Sequence, residues 1–133
     1  MPIRMKPKSY GPVFVRSAAD GSLRYGDSAG TIDREHPISG SPAETLLSAI
    51  GACMVLSIAI VAARDETVLN PFFVEVRAMK SEQPPSHFGQ YQIRVSAELT
   101  TDRQVAEAIV KSAKSVCTIS NSLNGEIVLA VDA

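Results

Sequence analysis

The run from Thr45 to Ala63, TLLSAIGACMVLSIAIVAA, holds 19 residues without a formal charge. By length it reaches the threshold of a membrane-spanning helix, about 18–20 apolar residues, so its surroundings decide how it is used. Its start reads as that of a soluble helix. In Ser41-Pro42-Ala43-Glu44, Ser41 is the expected N-cap, Pro42 takes the first helical position and Glu44 closes a capping box. Ser48, Gly51, Cys53 and Ser57 dilute its hydrophobicity, no aromatic residue marks either end, and Arg34 and Arg64 flank it symmetrically. The expectation is a core helix over residues 42–64, roughly 35 Å long at 1.5 Å per residue, with a single membrane span as the alternative. A helix apolar on every side must be enclosed on every side. The rest of the chain is too small to surround it, since a small domain is about as wide as this rod is long. A homodimer with the helix at its buried centre is therefore expected.

A length of 133 residues fits one domain, and no linker, repeat or low-complexity tract divides it. The 13 Lys and Arg against 14 Asp and Glu leave a net charge of −1, without the cationic excess that nucleic-acid binding needs. Ahead of the helix, residues 10–32 hold three short strand candidates, Pro12–Arg16, Ser22–Tyr25 and Ala29–Ile32, separated by turn signals at Asp20-Gly21 and Gly26-Asp27. Behind it, 72–79 and 90–99 alternate as strands, with Val74, Val76 and Ala78, then Tyr91, Ile93, Val95, Ala97 and Leu99, facing inward. The loop between them, Ser81 to Phe88, contains Pro84-Pro85. A second helix over 102–117 starts at Thr101 with a capping box to Gln104, and its expected apolar face is Val105, Ala108, Ile109, Ala113 and Val116. A bend at Ser120-Asn121-Ser122 and a strand at 126–131 close an α+β arrangement.

Two cysteines are too few for a disulfide scaffold. The basic N-terminus, Met1 to Lys8, lacks the apolar stretch of a signal peptide, so a reduced, cytoplasmic setting is expected. Cys53 falls in the middle of the long helix, and Cys117 follows it by 64 positions at the end of the second. His36 and His87 lie in loops without ligand spacing, so no metal is expected; the alternative is a Cys₂His₂ zinc site assembled in three dimensions. Both cysteines can be small buried core residues. They can equally be reactive. Small neighbours around Cys53 (Ala49, Gly51, Ala52, Ser57) leave room for an approaching group, and Cys117 stands where a further helical turn would offer backbone N–H groups. Periodicity does not choose between packing and redox chemistry. Ser57, one turn after Cys53, is expected to bond a carbonyl of its own helix.

Two segments carry a resemblance. Ser41-Pro42-Ala43-Glu44-Thr-Leu-Leu-Ser-Ala-Ile-Gly51-Ala-Cys53 resembles the P-x-E-x-L-L-x-A-x-G-x-C helix of the OsmC/Ohr family. Val116-Cys117-Thr-Ile-Ser120-Asn121-Ser-Leu-Asn-Gly125-Glu-Ile127 is similar to that family's V-C-P-x-S-N-x-x-x-G-x-I segment. The resemblance runs from about Tyr10 to Val131 and implies an OsmC-like fold in an intertwined homodimer with active sites at the subunit interface. It implies a thiol peroxidase that reduces organic hydroperoxides, with Cys53 peroxidatic and Cys117 resolving. A thiol or dithiol reductant then serves as co-substrate in place of a bound cofactor. In the family an N-terminal arginine, held by a glutamate in the first turn of the cysteine helix, stabilises the thiolate. Arg16 is the candidate arginine, with Arg24 and Arg34 as alternatives. The glutamate that holds the arginine in the family lies ten residues before the cysteine, where this chain has Ala43; Glu44 comes one residue later, about 100° around the helix, and Thr118 replaces the proline after the second cysteine. The alternative function is a non-catalytic dimer of the same fold that binds a small apolar ligand in the interface cleft.

Overall fold

Apolar residues at alternate positions of five segments build one sheet. The computed structural model describes residues 8–38 and 40–132; the basic N-terminal segment up to Pro7 lies outside them. Strands β1 (Ser9–Ser17), β2 (Leu23–Gly26), β3 (Phe73–Lys80), β4 (Phe88–Val95) and β5 (Glu126–Val131) lie in the order β2-β1-β3-β4-β5. All neighbours are antiparallel except β4 and β5, which are joined through a helical crossover as parallel pairing demands. Val13, Val76, Ile93 and Leu129 form one row across the sheet. With Val15, Val74, Ala78 and Val95 they form the face against which the helices pack. The fold is α+β.

Helix α1 (Pro42–Arg64) begins where the sequence places it, and the Ser41 side chain accepts the Glu44 N–H at 3.2 Å. The box closes differently from expectation: the Glu44 carboxylate returns to the Ser41 hydroxyl, 3.4 Å away. Leu47, Ile50, Met54, Ile58 and Val61 are fully buried against the sheet and the second helix. At Gly51 the backbone comes so near β1 that a Cβ would lie 2.6 Å from Val15 Cγ2. The small residue expected to open space around Cys53 instead seats α1 on the sheet.

Four further sequence expectations change, the last of them the buried face of the second helix. Ala29–Ile32 is not a strand. The chain there makes single bridges, Ser28 to Thr31 and Tyr25 to Arg34, and folds so tightly over Gly26 that a Cβ there would lie 2.1 Å from the Thr31 carbonyl oxygen. The strand expected to reach Leu99 ends at Val95, because Ser96 pairs with Phe73 through its N–H and its hydroxyl and Ala97–Leu99 turn into a 3₁₀ helix. Helix α2 (Arg103–Val116) is capped by Asp102, whose carboxylate accepts the N–H groups of Gln104 and Val105, and not by Thr101.

The buried stripe of α2 is Ala106, Ile109, Val110 and Ala113 and runs on to Cys117, whereas Val105, Ala108 and Val116 are exposed. Ile109 and Ala113 are common to the expected and the observed face. A stripe at i, i+3, i+4 and i+7 that ends on a buried cysteine gives the observed one. The short helix α3 (Thr118–Asn121) follows.

Candidate functional site

Cys53 and Cys117 meet where α1 passes the junction of α2 and α3. The 3.6-residue repeat places Cys53 on the side of α1 turned from the sheet, in line with the exposed residues Ala49, Leu56 and Ile60. The inner stripe of α2 places Cys117 beneath it. Both thiols are free; Cys53 is half-buried and Cys117 is wholly inside. A nucleophile that faces a boundary with a second thiol behind it is the arrangement a dithiol–disulfide couple needs.

Four influences act on the Cys53 sulfur, and burial is the largest: it pushes the thiol up from its ordinary value. The Ile119 backbone N–H opposes this as a donor to the sulfur. The Cys117 thiol adds to the rise, both by a shared hydrogen bond and by charge, and the Ser57 hydroxyl opposes it as a second donor. Among the four, burial prevails and the protonated form is favoured. Cys117 caps α3 with its backbone, while its side chain takes no capping bond. The backbone donor that sequence reasoning assigned to Cys117 thus serves Cys53 through Ile119.

Ser57 was missed as a partner of the sulfur. Its spacing of four residues from Cys53, one helical turn on the same face, was the available signal. The Ile119 donor had none, because a backbone N–H acquires a target only when two distant elements meet.

The other candidate residues lie elsewhere within the chain. Val15 faces α1, so Arg16, next along β1, points to the opposite side of the sheet. There its Nε donates to the Ile32 carbonyl at 2.8 Å and its guanidinium pairs with Asp33 at 3.0 Å. Arg24 donates to the Ser22 hydroxyl at 2.6 Å, and Arg34 pairs with Asp27 at 3.6 Å. Glu44 lies nine residues before Cys53, about 13 Å along α1 and half a turn around it, and belongs to the helix cap. His36 is exposed ahead of α1, and His87 is exposed with its Nδ1 on the Pro85 carbonyl. Among the described residues no three His, Cys, Asp or Glu side chains gather as a metal site.

The family model for OsmC-like proteins matches residues 35–132, a span that contains α1, both cysteines and the strands between and after them. No curated protein matches the chain in sequence. Solved structures share its fold. One is an organic hydroperoxide resistance protein OsmC of Legionella pneumophila, with TM-score 0.62, 20% identity, and coverage of 93% of this chain and 98% of that one. The organic hydroperoxide resistance protein OhrB of Bacillus subtilis superimposes with TM-score 0.60 at 14% identity over 96% and 98% of the two chains. An OsmC-like protein of unknown function from Vibrio cholerae gives TM-score 0.59 at 14% identity over 99% and 100%.

Proposed function

The chain belongs to the OsmC-like family, and from that premise we propose that it is a cysteine-dependent redox protein that reduces organic hydroperoxides through Cys53 and Cys117. The observation that carries the reading is the meeting of a half-buried and a buried thiol from positions 64 residues apart. The hydroperoxide resistance proteins of Legionella pneumophila and Bacillus subtilis that share the fold support the choice of substrate class.

The Cys53 thiolate attacks the distal oxygen of ROOH and the O–O bond breaks; Cys53 becomes a sulfenic acid, and the alkoxide takes a proton from water and leaves as ROH. The Cys117 thiol then displaces water from that sulfenic acid and forms the Cys53–Cys117 disulfide. A small thiol or dithiol reductant restores both thiols by exchange, which suits a reduced, cytoplasmic setting. The Ile119 N–H and the Ser57 hydroxyl stabilise the attacking thiolate and hold its sulfur toward the boundary.

The working unit we propose is a homodimer. Leu56 and Ile60 are 47% and 63% exposed along one line of α1, and Val116 of α2 and Ile119 of α3 are exposed as well, apolar surface of the kind a second subunit covers. Sedimentation is expected to give twice the 14.2 kDa of one chain.

The deciding measurement is stopped-flow consumption of cumene hydroperoxide by wild type, Cys53→Ser and Cys117→Ala, with non-reducing mass analysis. Wild type is expected to react and to lose two hydrogens as it forms the disulfide. Cys53→Ser should lose activity by at least about 100-fold, the scale on which removal of a nucleophile is felt, and Cys117→Ala should stop at the sulfenic acid. Equal, slow consumption by wild type and Cys53→Ser would end the peroxidase reading. A second reading, the non-catalytic dimer with an apolar ligand in its interface cleft, is favoured by one observation: neither Arg16 nor Glu44 of the chain reaches its own Cys53.

A further inference from the structure

At the N-terminal end of α1, away from both cysteines, the helix and the adjoining ends of β1, β3 and β4 line an open groove of about 490 Å³. That is within the roughly 300–1,000 Å³ typical of sites for small organic molecules. Its composition is uneven. Tyr10 and Phe88 form an aromatic wall, rings edge to face with centroids 5.3 Å apart, and Pro42 and Leu46 add aliphatic surface from α1. Lys80, at the end of β3, and His87 supply the polar side.

The charges do not cancel locally. Among the described residues no carboxylate lies within ion-pair distance of Lys80. The acid in the first turn of α1, Glu44, is folded onto the Ser41 hydroxyl, and Ala43 leaves the helix side of the groove uncharged. His87 donates from Nδ1 to the Pro85 carbonyl, so Nε2 is its free nitrogen. The groove therefore joins a wall that favours hydrocarbon over water to the unpaired ammonium of Lys80, while the neighbouring Lys8 ammonium lies over the Tyr10 ring, 5.3 Å from its centroid.

We propose that this groove binds a small amphipathic carboxylate, its hydrocarbon body against Tyr10, Leu46 and Phe88 and its carboxylate on Lys80. The site uses neither cysteine, so it stands or falls independently of the peroxidase reading. The ligand class follows from the two ends of the groove: an alcohol of equal length would satisfy only the wall, and a short acid such as acetate only the lysine.

The test is calorimetric titration of decanoate and of decanol into the full chain, repeated with Lys80→Gln and Lys80→Arg. Decanoate is expected to bind about fivefold more tightly than decanol, the ratio that one partly exposed ion pair supports. Lys80→Gln should abolish that preference and leave decanol binding as it was, and Lys80→Arg should keep it. Cys53→Ser should bind decanoate as wild type does, whether or not it has lost hydroperoxide activity. The proposal is overturned if neither molecule binds up to about 1 mM, the weak limit for such a site. Equal binding of acid and alcohol, or a preference that survives Lys80→Gln, overturns it too. So does a fall in sedimentation mass on Leu46→Arg, which would assign the groove to a second copy of the chain.

Discussion

The two long faces of α1 are completed to different degrees by one chain. Toward the sheet, Leu47, Ile50, Met54, Ile58 and Val61 are closed off from solvent, and at Gly51 helix and strand touch backbone to side chain. Away from it, Ala49, Leu56, Ala59 and Ile60 are exposed, although Leu56 and Ile60 are as apolar as their inner counterparts. The inner face answers to packing within the chain, and the outer face answers to whatever lies beyond it. Cys53 sits between Ala49 and Leu56 on that outer line, with Cys117 and Ile119 closing one side of it, so the reactive sulfur stands at the boundary between the finished and the unfinished surface.

The strongest test of this division compares two isoleucines two residues apart. Ile58→Ala removes a fully buried side chain from the inner face and is expected to lower the unfolding free energy by about 2–5 kcal/mol, read by urea denaturation at any protein concentration. Ile60→Ala, on the outer face, should matter only through association. Its urea midpoint should approach that of wild type as both are diluted below the dimer's dissociation constant. Equal, concentration-independent losses for the two variants would mean that the faces do not differ in kind.

Gly51→Ala probes the closest approach on the inner face. A methyl there would meet Val15 Cγ2 at 2.6 Å, and overpacking of that kind costs about 1–3 kcal/mol as the helix shifts off the strand. Adding Val15→Ala should recover part of the loss, because the clash is with that side chain. A double variant no more stable than Gly51→Ala alone would place the strain elsewhere.

The same contrast explains what could be read from the sequence. The limits of α1, its Ser41 cap and the inward rows of β3 and β4 were legible because each follows from local periodicity or a four-residue cap. The face of α2 was half legible: Ile109 and Ala113 lie on it as expected, but Val105, Ala108 and Val116 belong to the outward surface and Ala106 and Val110 take their places. Ala29–Ile32 read as extended because composition does not reveal the crossing over Gly26. At the site, the cysteines were visible as residue types in a resembling pattern. Their surroundings were not: the Ile119 donor and the turning of Arg16 away from α1 depend on how α3 and β1 are seated, which no short window of sequence contains. The groove beside Lys80 is likewise a product of topology, since Tyr10, Leu46 and Phe88 come from three separate elements.

The smallest expected effect is on the sulfur itself, and its sign is definite. Only the thiolate is nucleophilic, and burial pushes the Cys53 thiol upward, so near neutral pH the reactive fraction is small and grows as pH rises. The rate of Cys53 alkylation by iodoacetamide, followed by mass in the Cys117→Ala background, should climb about tenfold per pH unit and continue past the ordinary thiol range near pH 8.5. Ser57→Ala removes a donor that favours the thiolate, so its profile should move to still higher pH with the same slope, whereas a purely structural role for Ser57 would leave the profile in place. A wild-type profile that flattens below pH 7.5 would reverse the balance found within the chain. Because Arg16 is engaged by Ile32 and Asp33 on the far side of the sheet, the cation responsible would then have to reach Cys53 from across the unfinished face of α1.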